Sequence, residues 1–169
     1  MPTLAQATTT VFATATVAGD VLAIALAAAL AMPQLRRQPA VGRLVHQLGW
    51  RALAVGLLLA SLGTAGSLWY SNVIGYPPCD LCWVQRLFLY PQVLLLAVAL
   101  FKRDRGAVDY ALALSLAGLA VALYHVSLQL GLTPLAPCSV GAVSCRQVSF
   151  LAYGYVTIPV MSLTAFALQ

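Results

Sequence analysis

The chain has 169 residues, of which 62% are hydrophobic and only 8% are charged, and its formal net charge is +5. A soluble globular domain is about half apolar and about a quarter charged, so this composition excludes that class. The length accommodates about four or five membrane-spanning helices of roughly 20 residues, with no room for a separate soluble domain. Nucleic acid is not an expected partner, because the basic residues flank apolar runs and form no stripe interleaved with aromatic residues.

Apolar segments are the predicted structural elements, and five of them follow in chain order: residues 11–32, 52–70, 83–101, 110–132 and 148–168. Each is close to the length that crosses a hydrocarbon core as a helix. Because a helix satisfies all its backbone hydrogen bonds internally, the sequence predicts an all-α integral membrane protein.

The first segment departs most from a simple membrane span. Asp20 lies inside it and several threonines dilute it, so a peripheral helix on the membrane surface is the alternative. No basic residue precedes it, which argues against a cleaved signal peptide.

At the other end, the chain stops at Gln169 with no basic residue after the last apolar run. This leaves open that the natural protein is longer.

Basic residues predict the topology. Seven of the nine lie in residues 33–51 and 102–105, which the positive-inside rule places on the cytoplasmic side. The loops 71–82 and 133–147 hold only Arg146 and are predicted to face outward, as is the N-terminus. Aromatic residues agree with this, because they cluster at the proposed outer boundary: Trp69, Tyr70, Tyr76 and Trp83.

All four cysteines fall in the two predicted outward loops, as the pairs Cys79/Cys82 and Cys138/Cys145. With this topology, every thiol faces the compartment in which disulfides persist. No GxGxxG fingerprint for a flavin or nicotinamide is present, so a lipid-soluble acceptor of two electrons is the favoured oxidant for redox-active cysteines.

The first cysteine pair is predicted to open a helix, because two prolines precede Cys79 and an apolar run follows Cys82. The N-terminal end of a helix favours the thiolate, which is the reactive form of cysteine. Arg86 lies one turn beyond Cys82 on the same helix face. Its positive charge there favours the Cys82 thiolate further, and it would also stabilise the reduced, anionic form of a ring-shaped electron acceptor. The alternative is an interfacial arginine that only sets topology, but its predicted outward position opposes the positive-inside rule.

The second pair, Cys138 and Cys145, encloses six small or apolar residues and is interpreted as a disulfide on a flexible loop. One alternative is a four-thiolate zinc site built by both pairs; the spacing of the first pair suits zinc and that of the second does not. The other is a membrane protein whose two disulfides are structural and undergo no redox turnover. No cysteine faces the cytoplasm, which argues against a protein that carries thiol electrons outward across the membrane.

The segment Cys79-Asp80-Leu81-Cys82-Trp83-Val84-Gln85-Arg86 resembles the DsbB family of disulfide-generating membrane proteins, including its short-loop, BdbC-like branch. In that family a CxxC pair, usually with leucine third, is followed four residues later by arginine at a helix start. A second outward cysteine pair, two spans later, completes the order; vitamin K epoxide reductases have the opposite order. The match covers about residues 50–169.

The resemblance implies a four-helix transmembrane bundle plus an extra N-terminal hydrophobic helix. Residues 46–169 would be the DsbB-like four-span domain, and residues 1–45, an N-terminal hydrophobic segment with a basic cytoplasmic loop, have no counterpart in the family core. It implies a bacterial cytoplasmic membrane, with the cysteines facing the periplasm or cell exterior. The implied activity is oxidation of a DsbA-like thioredoxin-fold dithiol partner, with electrons passed to a quinone, either ubiquinone or menaquinone.

The resemblance also assigns roles by position. Cys79 and Cys82 would be the quinone-coupled pair, Cys138 the residue attacked by the partner, and Cys145 the residue that relays electrons to Cys79. The implied cofactor-binding residues are Arg86, Gln85 and His125, and no metal is implied. A histidine that is simply hydrogen-bonded inside the bundle is the alternative for His125. The second loop is shorter than in the enterobacterial type, so partner docking is expected to differ in detail.

Overall fold

The computed structural model describes residues 4–32, 39–133 and 143–169. Within these ranges the chain forms α1 (Leu4–Ala31), α2 (Pro39–Leu68), α3 (Asp80–Lys102), α4 (Ala107–Gln129) and α5 (Ile158–Leu168). A π-helical segment, Trp69–Val73, continues α2. The predicted all-α membrane fold, with an extra N-terminal helix before the bundle, is confirmed.

Helices long and apolar enough to cross a membrane account for most of the described chain. The candidate spans are Leu4–Ala29, Arg51–Val73, Asp80–Lys102 and Ala107–Gln129. Each is longer than the roughly 20 predominantly apolar residues that a bilayer core requires. The chain is therefore a multi-pass membrane protein.

The helix α2 begins earlier than the apolar pattern predicts. Residues 33–51 were expected to form a basic loop, but helix is present from Pro39 onward, before the candidate span starts at Arg51. Proline is well suited to the first turn of a helix, where its missing N–H group costs nothing. The apolar pattern marks the part of a helix that the membrane covers, and the helix itself extends beyond it.

The last helix begins later than predicted, so the expected continuous helix over residues 148–168 is wrong in its first half. Helix starts only at Ile158 and spans 11 residues. Before it, Tyr153 and Gly154 adopt positive φ angles of 50° and 79°, which turn the chain back on itself. An antiparallel bridge pairs Ala152 with Val156 across this turn. Left-handed backbone is incompatible with continuing a helix, so the turn breaks the apolar run.

Close helix packing positions the elements around the site. The helix α3 lies between α2 and α4, α4 also packs against α5, and α1 packs against α5. A Cβ atom on Gly118 would overlap the Phe166 ring, so glycine is what lets α4 and α5 approach at this point. Small residues at such crossings are how membrane helices gain packing energy.

Candidate active site

The CxxC pair lies at the start of α3, as predicted. Cys79 is the N-cap residue, with an extended backbone, and Cys82 follows in the first turn. The two residues are in the dithiol form, with their Sγ atoms 3.2 Å apart. Cys79 is only 6% exposed, whereas Cys82 is partly exposed. The start of the helix therefore presents one sulfur to the protein interior and the other to a more open environment.

The hydrogen bond within the pair disfavours ionisation of Cys79. Its Sγ donates a hydrogen bond to the Cys82 Sγ atom. This hydrogen bond raises the pKa of Cys79 to about 12, and burial of the thiol acts in the same direction. Cys79 therefore stays a thiol at neutral pH, and the Cys82 sulfur is the acceptor in the pair.

Cys145 from the second loop lies against the first pair. It is 1% exposed and shares a buried cluster with Cys79 and Leu128. The structure thus brings together three of the four cysteines that the sequence analysis singled out. Cys138 lies outside the described residues, so the Cys138–Cys145 disulfide stays a prediction.

His125 connects the two cysteine-bearing segments. Its ring is 2% exposed, and Nε2 lies 3.1 Å from the Cys145 carbonyl oxygen and 3.7 Å from the Cys79 Sγ atom. Because a carbonyl can only accept, Nε2 carries the hydrogen of the neutral ring, and Nδ1 accepts from the Gln85 amide at 3.3 Å. The structure shows a histidine that is hydrogen-bonded inside the bundle and lies beside the cysteines, and its role in binding a cofactor stays a prediction.

Ser162 on α5 completes this hydrogen-bond chain and was missed by the sequence analysis. Its hydroxyl donates to the Gln85 Oε1 atom at 2.8 Å, which orients the amide so that its N–H group faces His125. A single serine in an apolar run gives no sequence signal for such a contact. Gln85 is therefore buried between His125 and Ser162.

Arg86 is held by α2. Its Nε atom donates to the Ser67 Oγ atom at 2.9 Å, and Nη2 donates to the Ser67 carbonyl at 3.1 Å. The guanidinium also lies 4.9 Å from the centre of the Trp83 ring, a cation–π arrangement. An interfacial arginine that only sets topology would extend towards water, so these contacts favour a fixed position inside the protein. Ser67 is a second residue that sequence reasoning missed.

A cavity of about 430 Å³ opens beside the cysteines. Its walls include residues of α1, α2 and α5, and its cysteine end is lined by Cys79, Cys82, Gln85, Arg86 and His125. Most of the remaining lining is apolar. Pockets of roughly 300–1,000 Å³ with a few polar groups are typical of small-molecule and cofactor sites. An apolar ring with hydrogen-bond acceptors fits this donor set, because Arg86 supplies N–H donors beside the Cys82 sulfur.

Cys79, Cys82 and His125 also form a possible metal-ligand group, since their ligand atoms lie within 4.8 Å of one another. Two thiolates and an imidazole suit zinc. The group does not include Cys145, however, so it differs from the four-thiolate site considered from the sequence.

Comparisons with known proteins agree with the motif. The family model for disulfide bond formation protein DsbB matches residues 48–168. The chain is 40% identical over 110 residues to the SPbeta prophage-derived disulfide bond formation protein B of Bacillus subtilis, covering 65% of this chain and 74% of that protein. It is 42% identical over 113 residues to the probable disulfide formation protein C of Halalkalibacterium halodurans, covering 66% and 82%.

A third relative is the probable disulfide formation protein of Metapseudomonas resinovorans, 36% identical over 119 residues, which cover 69% of this chain and 83% of that protein. No solved structure matches the chain significantly. The family match covers most of the chain and contains both the CxxC helix start and Cys145. The chain therefore belongs to the DsbB family of disulfide bond formation proteins, and it is a membrane disulfide oxidoreductase.

Proposed function

We propose that this protein reoxidises a DsbA-like, thioredoxin-fold dithiol protein outside the membrane and passes the electron pair to a membrane quinone, ubiquinone or menaquinone. Family membership establishes that the protein is a disulfide oxidoreductase. The identity of its protein partner and its use of a quinone are what we propose. The observation that carries it is the position of the CxxC pair. Cys79 packs against Cys145, and both Cys79 and Cys82 line the cavity that Arg86 also lines.

The proposed reaction begins with thiol–disulfide exchange. A partner thiolate attacks Cys138 in the Cys138–Cys145 disulfide, which forms a mixed disulfide and releases the Cys145 thiolate. Cys145 then attacks Cys79 in the Cys79–Cys82 disulfide and releases the Cys82 thiolate. Each step exchanges one sulfur–sulfur bond for another, so no electrons are lost.

The second half of the cycle restores the loop disulfide. The partner's second thiol displaces Cys138 and leaves as a disulfide, and Cys138 attacks Cys145 to release Cys79. The Cys79–Cys82 dithiol now holds the electron pair. A bound quinone would supply the oxidant, accepting two electrons and two protons while the Cys79–Cys82 disulfide re-forms.

The chain's own residues would position these groups. Arg86, held by Ser67, places N–H donors beside Cys82. His125 holds the Cys145 carbonyl next to Cys79, and Gln85 fixes the ring orientation. These contacts support a role for Gln85 and His125 in aligning the cysteines as well as in lining the cofactor cavity.

We place the protein in a bacterial cytoplasmic membrane, with the cysteine end facing the periplasm or cell exterior. The support is the asymmetry of basic residues, since Lys102, Arg103 and Arg105 lie at the end of the bundle opposite the CxxC pair. In intact cells, a membrane-impermeant thiol reagent is expected to label Cys138 from outside after reduction, and a tag at Arg103 should be accessible only from the cytoplasm. Labelling of Cys138 only from the cytoplasmic side would invert this topology.

The experiment that tests the proposed function uses the purified full-length protein with a reduced thioredoxin-fold dithiol protein and ubiquinone or menaquinone. We expect quinone absorbance to fall as partner thiols are oxidised, with one quinone reduced per disulfide formed. A matched Cys79→Ser variant should consume no quinone. If the parent protein oxidises no partner and consumes no quinone under these conditions, its disulfides are structural and the proposal is wrong.

A further inference from the structure

The helix α1 lies outside the region shared with the family, which starts at residue 48, yet it forms part of the cavity wall. The α1 residues at the cavity are Val11, Phe12, Ala15 and Thr16. They face α2 and α5, so the cavity beside Cys82 is enclosed partly by a helix that the family core does not contain. Because α1 adds a wall to a cavity that the family core shares, α1 is a candidate for determining which ligand the cavity accepts.

The docking of α1 onto α5 is specific. Gly19 is buried, and a Cβ atom there would lie 2.7 Å from the Thr164 Cγ2 atom, so only glycine permits this approach. The adjacent Asp20 carboxylate accepts hydrogen bonds from the Thr164 hydroxyl and, at 2.9 Å, from the Tyr155 hydroxyl. A carboxylate within an apolar helix is costly unless it is paired, so these two donors stabilise the docked position of α1.

Phe12 closes the space between α1 and α2. A Cβ atom on Gly66 would lie 3.3 Å from the Phe12 Cε1 atom, and the Phe12 and Tyr70 rings pack with centroids 5.6 Å apart. Gly66 directly precedes Ser67, the residue that holds Arg86. The Phe12 ring therefore packs on the turn of α2 that positions the cavity's cation.

We propose that α1 is a selectivity wall of the quinone site: Phe12 limits which ring the cavity accepts, and Asp20 holds the wall in place through Thr164 and Tyr155. This inference rests on the proposed function, because the occupant is taken to be a quinone. It gives the N-terminal helix a role that family membership alone does not assign. Phe12 acts by direct contact with the occupant, whereas Asp20 acts only through the position of α1.

The test measures quinone binding without turnover. The full chain in lipid nanodiscs is titrated with short-chain ubiquinone and menaquinone analogues, and binding is followed by quenching of intrinsic tryptophan fluorescence. Phe12→Ala is expected to weaken binding of the preferred quinone about tenfold, the loss typical of a ring contact, and to shift the ratio of the two Kd values. Phe12→Leu should give a smaller shift.

Variants of Asp20 distinguish an effect on the position of α1 from an effect of direct contact with the quinone. Asp20→Leu removes both hydrogen bonds and should weaken binding like Phe12→Ala, while Asp20→Asn, which can still accept from Thr164, should bind nearly as the parent does. The matched control is Ile24→Ala, because Ile24 is on the same helix and 69% exposed. Circular dichroism checks that each variant keeps the parent's helix content.

The outcomes distinguish the two proposals. If the parent binds neither analogue, the quinone site is wrong and the selectivity wall with it. If the parent binds but Phe12→Ala, Phe12→Leu and Asp20→Leu keep its Kd values and their ratio, α1 is no selectivity wall and the proposed function stands.

Discussion

Replacing Cys145 with serine is expected to abolish turnover and to trap the partner on Cys138. In the proposed relay Cys145 is the only residue that passes electrons from the loop to Cys79, and the two residues share one buried cluster. Without Cys145, a Cys138 thiolate that attacks the disulfide form of the partner remains bound in a mixed disulfide. Non-reducing electrophoresis and mass spectrometry of the cross-linked peptide would identify it.

Two matched variants separate the roles of the cysteines. Cys138→Ser should trap no partner, because it removes the sulfur that forms the mixed disulfide. Cys79→Ser should also lose turnover, but there the Cys138–Cys145 pair should accumulate in the reduced form. Equal trapping by Cys145→Ser and Cys138→Ser, or full activity in either, would contradict the second loop as the site where the partner reacts.

Replacing Arg86 with alanine is expected to raise the apparent Michaelis constant for quinone and to lower quinone turnover about a hundredfold, which is typical for loss of one well-placed donor. In a low-dielectric cavity a nearby cation stabilises an anionic ring far more than it would in water. Steady-state kinetics at varied quinone concentration would measure both effects. Exchange between the partner and Cys138 should stay near normal.

Further variants test whether the geometry of Arg86 matters as well as its charge. Arg86→Lys should restore only part of the activity, because an ammonium lacks the planar fork that spans the Ser67 hydroxyl and carbonyl. Ser67→Ala should produce a smaller defect of the same kind. Arg103→Ala, on the exposed turn after α3, is the control. Parent-like quinone kinetics in Arg86→Ala would mean that the ring binds elsewhere.

The start of α3 could be predicted from the sequence because the local chain determines it. Proline before Cys79 excludes helix there, and an apolar run after Cys82 requires it. The proximity of the first cysteine pair and its place at a helix start followed directly from this pattern. The family resemblance then indicated that Cys145 would lie near Cys79, as it does.

Contacts between helices could not be predicted in the same way. Ser67, Ser162 and Thr164 are small hydroxyl residues inside apolar runs, and nothing in their local sequence distinguishes a hydrogen-bond partner from an ordinary packing residue. The late start of α5 was also hidden, because residues 148–157 are apolar enough to continue a span. In the structure residues 148–157 are not helical, and a backbone turn at Tyr153 and Gly154 reverses the chain there.

Burial of the two inner cysteines also affects how selective the proposed relay can be. Cys79 and Cys145 are 6% and 1% exposed, so small thiols dissolved outside the membrane have little access to either sulfur. Thiol–disulfide exchange requires direct contact between sulfurs, and its rate falls with access. In the proposed relay, thiols outside the membrane would therefore react first at Cys138 and would not reach the Cys79–Cys82 pair directly.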